Sequence, residues 1–536
     1  MTSPTNPTPW KEAVIYQIYP RSFKDSNNDG IGDINGIIEK LDYIQSLGVD
    51  IIWLSPFFKS PMDDMGYDVS DYRDIDPIFG TMKDFENLVA EAEKHGLIIM
   101  MDMVMNHCSD EHFWFTEACK SVDNSYHDYF IWTDKPNNWV SLFSGSAWEY
   151  VPSVGKYYLH VFSKKQPDLN WENPQLRAEM QDVIRFWLNK GVKAIRFDAI
   201  TSISKPHGFP DAPNNLGLTD FISFGPHLAE WLEEINRDVF AEYDVITVGE
   251  GPAIVDDEIT TITGDDKCLQ TLHVFNAHGQ DIRGGVLFKA WPFDAAQWQK
   301  DSQSWAQDCD RLAIWNTSVI QNHDLPRIVS RFGNDGEYWQ QSASLWAVWS
   351  LTQKAAIYIY QGEELGMRNH EFTSLDEYKD VQVLNFAKEV EDRGENLADY
   401  WSDINYRARD NARTPMQWDK TQPYYGFSAH KPWINGNEDA IDALTSPIVD
   451  VYRKLITLRK QYKDILVYGD IVFDENKGDG IIGYKRIGKD EIWQIILNFS
   501  DNIKDCNIPK GKIIYNDYNH LNHAQLQPWQ ALIIEL

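Results

Sequence analysis

Short apolar runs that end in polar or acidic residues recur eight times in this chain, and they constrain its fold more than any other feature. They begin at Val14, Val49, Leu97, Val192, Val245, Leu272, Val319 and Ala355. Most are separated by stretches with helical periodicity, such as 36–47, 83–95 and Pro174–Asn189. Unbroken β-branched and aromatic runs suit strands that are buried on both faces. Eight such units predict an α/β fold, a closed parallel (β/α)8 TIM barrel. Barrels of this kind place their chemistry at the C-terminal ends of the strands. The polar run-ends therefore mark the candidate site.

The rhythm breaks twice. Residues 108–172 follow the third run and are rich in Trp, Asn, Ser and Pro, without helical periodicity. They are expected to form an inserted subdomain that caps a site. A second irregular stretch covers about 366–430. From about 465 the text changes to short alternating segments, including Ile471–Phe473, Ile481–Tyr484, Ile492–Leu497 and Ala531–Ile534. These predict a small antiparallel β domain. The expected organisation is a barrel from 1–107 and 173–463, a subdomain over 108–172 and a C-terminal β-sandwich domain over 464–536.

Composition excludes several partners. The formal charge is −32, which disfavours nucleic acid and anionic membranes, because both are recognised by clustered Lys and Arg. Aromatic residues make up 13% of the chain, with 21 Trp, a composition suited to stacking on sugar faces. Five widely spaced cysteines without a Cys-x-x-Cys suggest neither a disulfide framework nor a zinc site. Met1–Pro9 has no basic or apolar signal region, and no run approaches 18 apolar residues. The expectation is a cytoplasmic, monomeric protein that acts on a small molecule without an organic cofactor.

The fourth run, Gly191–Ala199, sets Arg196 two residues before Asp198. Residues two apart on a strand share a face, so the guanidinium is expected to hold Asp198 ionised. Glu250 ends the fifth run and Asp324 the seventh, with His107 and His323 nearby. Two carboxyls about 5–5.5 Å apart fit retaining glycoside cleavage. Asp198 is the better nucleophile. Glu250 has no cation near it in sequence, so a raised pKa and an acid role suit it. A further loop, Asp25–Asp33, alternates oxygen side chains with glycines. It predicts a structural Ca²⁺ or Mg²⁺ site using Asp25, Asn27, Asp29, Asp33 and the Ile31 carbonyl. Its twelfth position is Gly36, not the Glu of a full EF-hand.

These stretches resemble the signature regions of the α-amylase superfamily, glycoside hydrolase family 13: Asp102–His107, Gly191–Ala199, Val248–Glu250 and Asn322–Asp324. Gln166–Asn170, Tyr360–Gly366 and Arg413–Trp418 resemble its oligo-1,6-glucosidase branch, which includes α-glucosidases, dextran glucosidases and sucrose isomerases. The resemblance implies Asp198 as nucleophile, Glu250 as acid/base and Asp324 as transition-state stabiliser. It implies that His107, Arg196 and His323 line the pocket for the non-reducing glucose, and that Tyr67 stacks on that glucose. Asp64 with Arg413 would clamp its terminal hydroxyls. Phe143 and Phe162 match pocket aromatics, and the Asp25–Asp33 loop matches the branch's metal loop. In this branch the residue after the nucleophile tracks linkage, and Ala199 goes with α-1,4 cleavage. Val274–Asp294, including His278–Asp281, departs from the branch pattern after the acid/base strand and is expected to shape the aglycone side. The implied activity is an exo-acting α-glucosidase. The rival readings are α-1,6 hydrolysis of isomalto-oligosaccharides, glucosyl transfer or isomerisation, and a non-catalytic barrel.

Overall fold

The computed structural model describes residues 9–213, 217–251, 257–281, 288–437, 441–475 and 480–536. At its centre are eight parallel strands. They are β1 (Val14–Ile18), β2 (Ile51–Leu54), β3 (Ile98–Val104), β4 (Ala194–Asp198), β5 (Ile246–Glu250), β6 (Thr271–His273), β7 (Asn316–Val319) and β8 (Ala355–Tyr360). Neighbours pair in the order β6-β5-β4-β3-β2-β1-β8-β7. The end strands meet through side chains: His273 Nδ1 lies 3.2 Å from Thr317 Oγ1, and Thr271 Oγ1 donates to the Trp315 carbonyl. This is the TIM barrel that the eight runs predict.

Alternation along the strands sorts the side chains. Ile15, Trp53, Met100, Ala194, Val248 and Tyr358 share one cluster inside the barrel. Val14, Tyr16, Ile52 and Leu54 belong to the larger cluster that contains the helices' buried residues. Between β3 and β4 runs the helix Pro174–Asn189. Asn173 caps it by accepting from Gln175 N and Leu176 N, and Pro174 opens it. Gly191 then turns the chain at φ +97°, where a Cβ would lie 2.8 Å from Val89.

Two strands stop short of their expected ends, and both stops matter. The third run reads on in sequence through Met105-Asn106-His107, but the strand ends at Val104. The returning end of the insert takes the next carbonyls: Trp171 Nε1 donates to Met105 O, and Leu169 N to Asn106 O. The seventh was expected over Ser318–Asp324 but covers Asn316–Val319. Asn322 Oδ1 accepts from Asp324 N at 2.8 Å, an Asx turn that swings His323 and Asp324 off the strand line. The stretch 36–47 is two helices, Ile34–Glu39 and Leu41–Leu47, parted at Lys40.

The region after β3 holds a short helix, Phe113–Ala118, which its composition did not signal, and a three-stranded sheet of Trp132–Thr133, Lys156–Leu159 and Trp148–Val151. At the C-terminus β9 (Asp470–Phe473), β10 (Ile481–Ile487), β11 (Ile492–Asn498), β12 (Lys512–Asn516) and β13 (Ala531–Glu535) form an antiparallel sheet, ordered β9-β10-β11-β13-β12. A ribbon of Lys504–Asp505 and Gln525–Leu526 accompanies it. No helix among the described residues is long and apolar enough to cross a membrane.

Candidate active site

Strand register builds the floor of the site. Asp102 on β3 and Val248 on β5 stand opposite Arg196 on β4, so Arg196 is flanked on both sides. It is fully buried, and its guanidinium lies over the Trp53 ring at 5.3 Å. Nη1 donates to Asp102 Oδ1 at 2.8 Å and to Asp198 Oδ1 at 2.6 Å. Nη2 meets Glu250 Oε2 at 2.8 Å. Arg196 and Asp198 thus share a face as their spacing requires. No cation neighbours Glu250 in sequence; one arrives from the adjacent strand, and Glu250 is raised nonetheless.

Glu250 Oε2 also accepts from Ala199 N at 3.1 Å. Ala199 can offer that N–H because the chain leaves β4 in a left-handed turn, φ +44° and ψ 30°. Such a conformation in a non-glycine residue costs on the order of 1–3 kcal/mol and is held only where the surroundings enforce it.

Three carboxyls share one guanidinium, and the electrostatics follow. Burial pushes Asp198 and Glu250 up, each to about 7, against the pull of Arg196. Burial likewise raises Asp102 to about 6. Arg196 pulls Asp198 down, as its spacing in sequence suggests, but burial and the neighbouring acids push it up. The cation only offsets part of the cost of burying three acids together. One proton is readily held by this group. With Oε2 of Glu250 committed to two donors, Oε1 is the oxygen left to carry it.

The opposite wall is built differently. Asp324 Oδ1 accepts from Arg409 Nη1 at 2.9 Å and Arg413 Nη2 at 3.1 Å, and its Oδ2 lies 3.0 Å from His323 Nε2. Gln17 Nε2 sits 2.8 Å from His323 Nδ1, which leaves Nε2 as the donor to Asp324. Burial acts to raise Asp324, but His323, Arg409 and Arg413 outweigh it and hold the carboxyl well below the usual range. Asp380 is also lowered, burial again being outweighed by Arg409 and Arg413.

Asp64 lies at this end too, though not against the expected partner. Its Oδ1 accepts from Arg409 Nη2 at 3.0 Å, whereas Arg413 turns to Asp324 and to the His323 carbonyl. Burial raises Asp64, with Arg409 opposing. Backbone N–H groups of Asp63 and Asp64 donate to Asp68 and shape their loop. Sequence reasoning missed Arg409 and Asp380. The only signal was the irregular segment that contains both.

The remaining candidates close the pocket. Tyr67 lies flat on the His323 ring, centroids 5.1 Å apart and planes at 6°, and its hydroxyl donates to Asp102 at 3.0 Å. His107 is buried, which lowers it to about 4 and keeps it neutral. Gln166 Nε2 lies 3.1 Å from His107 Nε2 and 3.2 Å from Asp64 Oδ2. From the insert, Phe162 packs on His107 with centroids 4.9 Å apart, and Arg409 lies over Phe143 at 4.9 Å. The insert thus roofs the mouth at Arg409. Part of Val274–Asp294, namely 282–287, lies outside the described residues.

The Asp25–Asp33 loop is remote from these groups in its contacts. Every candidate ligand there is an oxygen, which fits a hard cation in kind. In the structure those oxygens are held by the loop itself. Asp25 accepts from the N–H groups of Asn27, Asn28 and Gly30 and from Ser428 Oγ. Asp33 caps the helix Ile34–Glu39 through Gly36 N and accepts from Ser26. Asn27 and Asp29 are exposed. Each carboxylate oxygen has lone pairs beyond those that accept N–H groups, so these bonds hold Asp25 and Asp33 in place and leave them able to ligate a hard cation.

Buried acids raised by their surroundings, set in a barrel mouth beside carboxylates lowered by theirs, are the equipment of acid–base glycoside cleavage. Residues 17–469 match the alpha amylase catalytic domain, so the chain belongs to that family and is a glycoside hydrolase. It is 45% identical to an oligo-1,6-glucosidase of Parageobacillus thermoglucosidasius, over 98% of this chain and 99% of that one. It is 41% identical to a glucan 1,6-alpha-glucosidase of Streptococcus pneumoniae serotype 4, with the same coverage. The crystal structure of a trehalose-6-phosphate hydrolase from Bacillus licheniformis superposes with a TM-score of 0.92 at 38% identity, over 99% of this chain and 100% of that one.

Proposed function

We propose that the chain is a retaining, exo-acting α-glucosidase that releases glucose from the non-reducing end of short α-glucosides, with α-1,4 linkages favoured. The observation that carries this reading is the single guanidinium of Arg196 bonded to both Asp198 and Glu250. It sets two carboxyls side by side with one oxygen of each left for substrate. In the first step Asp198 Oδ2 attacks the anomeric carbon while Glu250 gives its proton to the glycosidic oxygen. The C–O bond breaks, the aglycone leaves as an alcohol and a glucosyl ester forms on Asp198. Glu250, now a carboxylate, then takes a proton from water. The hydroxide attacks the same carbon, Asp198 departs and the configuration is retained. Asp324, fixed as an anion, accepts sugar hydroxyls and supports positive charge at the transition state. Asp64, Arg409 and Arg413 close the pocket beyond the terminal hydroxyls, which supports release of one unit at a time.

Ala199 supports the α-1,4 preference. Its small side chain follows the nucleophile directly, and its N–H fixes the acid/base. The α-1,6 reading is favoured by the two relatives named for 1,6-glucosidase activity. A side chain of methyl scale discriminates by about 1–3 kcal/mol. Initial rates on maltose, isomaltose, sucrose, trehalose and panose separate the readings. Maltose is expected to be the better substrate, with Ala199→Val shifting the ratio towards isomaltose. Isomaltose turning over faster at equal concentration would contradict the linkage assignment.

We also propose a structural Ca²⁺ or Mg²⁺ in the Asp25–Asp33 loop, supported by its oxygen-only donors. Chelation is expected to lower the unfolding temperature and CaCl₂ to restore it. An unchanged unfolding temperature counts against the ion.

A further inference from the structure

A second cluster with metal-binding chemistry lies outside the pocket. Glu172, His207 and His227 bring one ligand atom each within 4.8 Å of one another, and all three are at least partly exposed. Glu172 precedes the helix Pro174–Asn189 at the end of the insert. His207 lies in the loop that follows β4, and His227 immediately precedes the helix Leu228–Asp238. Three separate segments thus converge here.

The site has the features of a built one. His227 Nδ1 lies 3.0 Å from Glu230 Oε2, and its Nε2 lies 3.9 Å from Glu172 Oε1. That leaves Nε2 of His227 free for an ion and gives the ring the carboxylate partner that ligating histidines usually have. The ring stacks on Trp231 at 5.4 Å, and His207 meets it edge-on at 5.2 Å. His227 N donates to Ser204 Oγ at 3.0 Å. Gly225 permits this approach, since a Cβ there would lie 1.9 Å from the Ser204 carbonyl.

We infer that Glu172, His207 and His227 form a binding site for a borderline-soft divalent cation such as Zn²⁺. Two imidazoles and one carboxylate favour such ions over Ca²⁺ or Mg²⁺. Bonds of about 2.0–2.2 Å require the donors to draw in by roughly 1 Å, which exposed side chains can do. A water would complete the fourth position. The bound ion ties the end of the insert to the β4 loop. That loop reaches the pocket through Lys205, whose Nζ bonds Asn106 at 2.7 Å and Asp168 at 2.7 Å beside His107. The ion is therefore a clamp on the roof of the site, not part of its chemistry.

Titration of the full chain with ZnCl₂, in saturating CaCl₂ so that any oxygen-ligand loop stays filled, tests this. One Zn²⁺ per chain is expected, with a rise in unfolding temperature that grows with ZnCl₂. MgCl₂ in excess should not displace it. His207→Gln and His227→Gln should each abolish the rise, and Glu230→Gln should weaken binding about tenfold. All three variants should keep wild-type activity without Zn²⁺, which shows that they fold. Absence of saturable binding by the wild type overturns the assignment. So does undiminished binding by the double histidine variant, which would place the ion on the thiols or on other histidines.

Discussion

The two walls of the pocket solve opposite electrostatic problems. At Arg196 one cation serves three carboxyls, Asp102, Asp198 and Glu250, and burial raises all three. At Arg409 and Arg413 two cations serve Asp64, Asp324 and Asp380, and the latter two are held as anions. The ratio of cations to acids decides which wall can move a proton. The first is suited to exchange one with substrate, and the second to present fixed charge to hydroxyls. Both walls belong to one barrel mouth, so the division lies in the side chains and not in the backbone.

Substitutions at the two walls should therefore differ in kind. Asp198→Asn is expected to lower kcat/KM by about 10⁴-fold or more, since it removes the proposed nucleophile. Retention of more than a trace of activity would sink that role. Its effect on stability has the opposite sign. The folded pKa lies above the ordinary value of about 3.9, so the carboxylate costs stability as pH rises from about 4 towards 7. Asp198→Asn should thus unfold at a higher temperature than wild type at pH above 7, and the advantage should vanish near pH 4. Asp324→Asn should do the reverse. Its folded pKa is lowered, so its charge stabilises the fold above the unfolded pKa, and that contribution is lost as pH falls. At neutral pH this variant should melt earlier, and calorimetry of the pair gives both signs. Arg409→Met is expected to have the largest effect on stability. It strands Asp380 and Asp64 without their closest cation, at a cost of about 3–5 kcal/mol, measurable by denaturant unfolding.

Much of this was legible in the sequence, and the reasons are local. β4 declares itself through an apolar run with Arg196 and Asp198 two apart, a spacing that fixes a shared face. The eight runs give the barrel because burial on both faces leaves a continuous apolar signature. What stayed hidden depends on register and distance. Glu250 meets Arg196 only because β5 pairs with β4, and nothing in the fifth run announces a cation. Arg409 reaches Asp64 across 345 positions from a segment without periodicity. Asp64 was therefore assigned to Arg413, which the fold turns to Asp324. The ends of β3 and β7 were overestimated because apolar character continues past the last ladder bond, while the insert and an Asx turn claim the backbone there.

The pH dependence of kcat/KM for an aryl α-glucoside with a poor leaving group tests the central claim most directly. A proton shared at Arg196 predicts a bell whose limbs flank about pH 7, with activity lost on the alkaline side as Glu250 gives up its proton. Glu250→Gln should lose about 10²–10⁴-fold in rate and abolish the alkaline limb. An alkaline limb that persists unchanged in Glu250→Gln would contradict the account and place the proton elsewhere.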